Sequence, residues 1–90
     1  MNAGPVILLI TNKRGLHARA SARFVTLASQ YDATVTVSKD GSDVLGTSIM
    51  GLMMLAAAAG DSISLVAEGP QAEQALDALV RLVEGKFGED

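Results

Sequence analysis

The one histidine of this 90-residue chain, His17, stands in the run Gly15-Leu16-His17-Ala18-Arg19. It falls where a short apolar, strand-like segment gives way to a helical pattern, which places the imidazole at the start of a helix. The first-turn N–H groups of such a helix, here those of Ala18, Arg19 and Ala20, have no intrahelical acceptors. Together with the helix dipole they form an anion site. Arg19 adds a planar guanidinium able to hold phosphate oxygens through paired hydrogen bonds. Gly15 can take backbone angles closed to other residues, so the chain can turn sharply before the helix. A nucleophilic ring nitrogen beside an anion site is equipped to take up a phosphoryl group and hand it on.

Other histidine chemistries lack their parts. With no second histidine, no cysteine and no acid close by in the sequence, a metal site is not expected. A serine hydrolase would need an acid to orient the ring. The bland alternative is an incidental surface histidine on a small ligand-sensing or protein-interaction module.

A second feature begins at Ser48, which precedes a Met- and Ala-rich segment and is expected to cap its helix. Ile49, Met50, Leu52, Met53, Met54 and Leu55 are more apolar side chains than one short helix can bury. Leu52 and Leu55 are the core candidates. Ile49, Met50 and Met53, beside Arg19 and Arg23 of the preceding helix, are the candidate contacts for partner proteins, since methionine adapts to several surfaces.

These residues need a scaffold, and the hydrophobic pattern supplies one. Val6 to Thr11 is a short branched run expected to form a buried strand. Ala20, Phe24, Leu27, Ala28 and Tyr31 mark one face of a helix over Ala18 to Gln30. Thr34 to Ser38 alternates as a half-exposed strand, and Asp40-Gly41 turns it into a hairpin that returns through Val44 and Leu45. The helix capped by Ser48 is expected to run to Gly60. Ser62 to Glu68 alternates again, with Ile63, Leu65 and Ala67 facing one way. A last helix opens with Pro70 in its first turn and closes at Gly85, leaving Lys86 to Asp90 as a short mobile tail. The order is β-α-β-β-α-β-α. One-sided strands and striped helices pack most simply as an α+β open-faced sandwich: a four-stranded antiparallel sheet covered on one side by three helices.

Composition sets the outer limits. Residues 1–90 read as one small domain, 49% hydrophobic but only 3% aromatic. Net charge is -3, yet up to Tyr31 there are four bases and no acid, and from Asp32 onward three bases and ten acids. The basic cluster surrounds the histidine, so an anionic group or acidic partner is expected there. Strands without aromatics argue against RNA binding by base stacking. No segment has the length of a membrane span or the form of an export signal, so a cytoplasmic monomer is expected.

Gly15-Leu16-His17-Ala18-Arg19, followed at a distance by Ser48-Ile49-Met50-Gly51, resembles the histidine-containing phosphocarrier family, HPr, of the bacterial phosphotransferase system. The similarity extends over essentially the full length, including Gly60-Asp61, the final helix and Phe87-Gly88-Glu89. The resemblance implies that His17 is phosphorylated on Nδ1 by phosphoenolpyruvate-charged Enzyme I and discharged to a IIA-type acceptor, with no cofactor. It implies that Arg19 steadies the phosphoryl group and that Ser48 is the serine modified from ATP by HPr kinase/phosphorylase. The chain departs from the family pattern in having Ala20-Ser21 where Pro-Ala is usual, which is closer to the nitrogen-related branch. Thr47 stands where lysine commonly precedes the serine.

Overall fold

The computed structural model describes residues 1–89 of the chain. Its elements are β1 (Asn2–Leu9), α1 (Ala18–Ala28), β2 (Thr34–Lys39), β3 (Ser42–Leu45), α2 (Ile49–Met54), β4 (Ser62–Glu68) and α3 (Ala72–Glu84), followed by a tight turn over Lys86–Gly88 in which Lys86 and Phe87 have positive φ. The four strands form one antiparallel sheet in the order β1-β4-β2-β3. This is the β-α-β-β-α-β-α open-faced sandwich that the pattern of apolar residues predicts.

Alternation decides which face is covered. Leu8 on β1, Ile63, Leu65 and Ala67 on β4, and Val35 and Val37 on β2 are buried. Their register puts them side by side, with Leu8 opposite Ile63 and Val37 opposite Leu65. Helix α1 buries Ala20, Ser21, Phe24 and Ala28, while α3 buries Ala72, Ala75, Leu76, Leu79 and Val83, each a stripe at helical spacing. Burying a large apolar side chain contributes roughly 1.5–3 kcal/mol, against about 1 kcal/mol net for a hydrogen bond. Phe24, Leu52, Leu65 and Leu79 therefore fix the scaffold, and the polar contacts of the site only adjust it. The Asp40-Gly41 turn has both residues at positive φ, 51° and 83°, the two-residue turn whose twist matches a hairpin.

Five expectations need correction. The Val6–Thr11 run is not a buried strand: β1 spans Asn2–Leu9 at the edge of the sheet, and Ile7 and Leu9 are 74% and 55% exposed. Helices cover one face only, so alternate residues of an edge strand meet solvent whatever their hydrophobicity. Helix α2 stops at Met54, not Gly60, because Ala56 adopts a left-handed φ of 54° and the chain turns back toward the loop before α1. Helix α1 ends two residues early, at Ala28. Pro70 precedes α3, whose N-cap is Gln71.

The fifth correction bears on function. The segment after Gly85 is not a loose tail, since it makes a tight turn and buries Phe87 completely. Asp90, the end of the predicted tail, lies outside the described residues. None of the described helices is long and apolar enough to cross a membrane.

Candidate functional site

Everything around His17 begins with the loop that delivers it. Gly15 has φ +62°, and a Cβ added there would lie 2.2 Å from the Ala57 carbonyl oxygen. That same carbonyl accepts the Leu16 N–H at 2.9 Å. The segment after α2 thus clamps the loop from behind, and the clamp leaves no room for any side chain at position 15. Leu16 is buried just ahead of His17. Its carbonyl accepts the hydroxyl of Ser21, a fully buried polar residue of the first helical turns. The serine of the unusual Ala20-Ser21 pair therefore ties α1 back to the loop.

His17 is the N-cap of α1, with extended backbone angles (φ -71°, ψ 178°), and its ring does not cap its own helix. The Ser21 N–H is bonded to the His17 carbonyl at 2.9 Å, closing the first helical turn. The amides of Ala18, Arg19 and Ala20 precede that bond and have no acceptor within the helix. Arg19 is exposed and makes no hydrogen bond or ion pair among the described residues. The helix start thus gathers an imidazole, three first-turn amides and an uncommitted guanidinium, the set expected from the sequence.

What the sequence did not disclose is a carboxylate. Glu89, carried back by the buried Phe87, places Oε2 2.6 Å from His17 Nε2. Its other oxygen, Oε1, accepts from the Asn12 side-chain amide at 3.2 Å, and that amide also donates to the Gly15 carbonyl at 2.8 Å. Asn12 is fully buried. The hydrogen bond from His17 is the largest influence holding the Glu89 carboxyl below its usual value, opposed by burial and assisted by Asn12 and by the charges of His17 and Arg19. The His17 and Glu89 side chains are 16% and 13% exposed, so the pair sits at the surface but under partial cover. Among the described residues nothing engages Nδ1, the other ring nitrogen. An acid remote in the sequence thus stands beside the histidine in the fold. The acid arrives across 72 positions of sequence, where no local periodicity could announce it.

Arg23, one turn along α1 from Arg19, is exposed but already donates to the Phe87 carbonyl. It fastens the C-terminal segment as well as presenting charge. Ser48 caps α2 as expected, its hydroxyl accepting the Gly51 N–H at 2.9 Å. Helices α1 and α2 pack against each other. Leu52 on α2 and Leu55 at its C-cap are buried, whereas Ile49, Met50 and Met53 are exposed, as the sequence suggested. Met54, at 79% exposed, extends that apolar patch and was not singled out from the sequence.

Comparison with known proteins converges on one family. A family model described as the PTS HPr component phosphorylation site matches residues 7–85. The phosphocarrier protein HPr of Cupriavidus necator is 48% identical over 80 residues, covering 89% of this chain and 90% of that protein. The phosphocarrier protein NPr of Shewanella violacea is 42% identical over 80 residues, covering 89% and 88%. The crystal structure of HPr-C-His from Thermoanaerobacter tengcongensis superposes with a TM-score of 0.93 at 45% identity, covering 98% of this chain and 99% of that one.

Proposed function

This chain belongs to the HPr family of phosphotransferase-system phosphocarriers, and from that premise we propose that His17 is the residue on which it carries phosphate. In this reading Enzyme I, charged from phosphoenolpyruvate, delivers a phosphoryl group to Nδ1, and a IIA-type protein removes it. The protein acts as a covalent carrier in the cytoplasm, turned over by its partners, and needs no cofactor. The observation that carries the reading is the position of His17 as N-cap of α1, with the Ala18, Arg19 and Ala20 amides and the exposed Arg19 guanidinium at the same helix end. Unpaired amides and a guanidinium suit a dianionic group arriving on the ring.

Docking falls to the apolar patch of Ile49, Met50 and Met53 beside the basic face of α1, including Arg23. A modest, adaptable interface suits a carrier that must leave each partner quickly. Ser48 is the regulatory position: its hydroxyl stands at the head of α2, next to that patch, so phosphorylation by HPr kinase/phosphorylase would place negative charge where partners land. The 42% identity to an NPr keeps nitrogen-related regulation beside sugar uptake as the role this carrier serves.

The test is direct. Incubation with phosphoenolpyruvate and Enzyme I, followed by intact mass measurement, should give one acid-labile phosphoryl group, absent in His17→Ala. Retention of that group in His17→Ala would assign the chemistry to another residue.

A further inference from the structure

Imidazole has two nitrogens, and only one of them can be the nucleophile in a given tautomer. The hydrogen bond made by one nitrogen sets which of them carries the proton. Here an ionised carboxylate, which can only accept, lies 2.6 Å from Nε2. The neutral ring therefore holds its proton on Nε2 and presents a lone pair at Nδ1. The carboxylate is itself held, since Asn12 donates to its other oxygen and is in turn anchored on the Gly15 carbonyl. Phe87, buried two residues earlier, and Arg23 on the Phe87 carbonyl keep the segment in place.

We propose that Glu89 is a positioning residue that selects Nδ1 of His17 as the phosphoryl acceptor by holding the proton on Nε2, with Asn12 fixing the carboxylate. The inference rests on the carrier reading of His17. The step balances without proton transfer. The Nδ1 lone pair forms the N–P bond while the donor's own bond to phosphorus breaks, its electron pair leaving with the donor. The ring becomes a phosphoimidazolium whose Nε2–H is still bonded to the Glu89 carboxylate. When an acceptor attacks phosphorus, the N–P electron pair returns to Nδ1, and the starting tautomer is restored. The carboxylate faces the nitrogen that gains positive character and lies on the side of the ring away from the incoming phosphate.

His17 is the chain's sole histidine, so its ring nitrogens can be followed by ¹⁵N NMR without assignment ambiguity. Glu89 comes after the last core residue, Phe87, so Glu89→Gln and Glu89→Ala leave the core unchanged. The unmodified wild-type ring is expected as the Nε2–H tautomer, with the Nδ1–H form rising in both variants. Glutamine can donate as well as accept, and an amide in place of an orienting carboxylate elsewhere lets a histidine adopt the wrong tautomer. Phosphorylation by charged Enzyme I should slow on the order of 10–100-fold in both variants, by analogy with metal-bound histidines that lose the outer hydrogen-bond partner orienting the ring. In both, part of the phosphate should move to Nε2, as ³¹P and ¹⁵N spectra of the product would reveal. Wild-type rate, tautomer and Nδ1-only attachment in both variants would overturn the proposal while leaving the carrier reading intact. A wild-type chain that takes no phosphate on His17 would overturn both.

Discussion

Gly15→Ala is the sharpest test of how the His17 loop is held, because the structure separates two costs. The first is conformational. Gly15 sits at φ +62°, and placing an L-residue in the left-handed region costs roughly 1–2 kcal/mol. The second is steric. The new Cβ would stand 2.2 Å from the Ala57 carbonyl oxygen and 2.8 Å from the Ala58 Cα, both backbone atoms that no side-chain rotation can relieve. Moving the loop away breaks the Leu16 N–H bond to that carbonyl, a loss of about 0.5–1.5 kcal/mol. The two together amount to about 1.5–3.5 kcal/mol. For a domain of this size that lowers Tm by about 6–28 °C by calorimetry. Gly60 is the internal control. It has φ +94° but open space where a Cβ would go, so Gly60→Ala bears only the conformational cost. If Gly15→Ala destabilises no more than Gly60→Ala, the Ala57 carbonyl is not what confines the loop. The same variant should lose phosphoryl acceptance out of proportion to its unfolded fraction, since the displaced loop carries His17.

Ser48→Ala removes the bond to the Gly51 N–H and should cost about 1 kcal/mol in urea unfolding, while Ser48→Asp keeps an oxygen cap and most of that stability; loss of helical circular dichroism in the aspartate variant would contradict the cap. Replacing both Met50 and Met53 by Asp should impair transfer from Enzyme I yet leave Tm nearly unchanged, because both side chains are substantially exposed; unaltered transfer kinetics would remove them from the docking surface. Glu89 has its carboxyl held below the usual value of 4.5. Its contribution to stability is accordingly complete above pH 4.5 and is lost as pH falls through the lower folded-state value. The urea midpoints of wild type and Glu89→Gln should therefore converge on acidification, and a gap that stays constant to about pH 3 would refute the sign.

Much of this architecture can be read from residue pattern, and the failures have physical causes. Alternation in Thr34 to Ser38 and Ser62 to Glu68 names the buried residues of the two central strands, because each strand has one face toward the helices. The run Val6 to Ile10 is apolar on both faces, so it carries no alternation to show that β1 would be an edge. Four consecutive alanines after Leu55 favour continued helix, but packing against Gly15 and Leu16 turns the chain at Ala56 and overrides propensity. His17, Arg19 and Ser48 were legible because helix caps are local in sequence. Asn12 and Glu89 were not, since their partnership spans 77 positions. One signal did exist: Phe87, one of only two phenylalanines, stands beyond the glycine that ends α3, and an isolated aromatic in a polar tail needs somewhere to be buried.

That aromatic explains how so small a domain can orient its histidine. A part-exposed hydrogen bond such as His17–Glu89 adds little to stability, too little to order a chain end against its conformational entropy. Burial of Phe87 contributes more, and the side chain packs into the core rather than against the site. The Arg23 guanidinium then ties down the Phe87 carbonyl, so that the Glu89 carboxylate hangs only two residues beyond a fixed point of the backbone. The hydrophobic anchor supplies the order, and the carboxylate is left free to act through hydrogen-bond geometry alone. A contact that stabilises the fold so weakly can be strengthened or relaxed as charge builds on the ring without loosening the scaffold. On the carrier reading of His17 proposed above, that is the property required of the group that faces the ring.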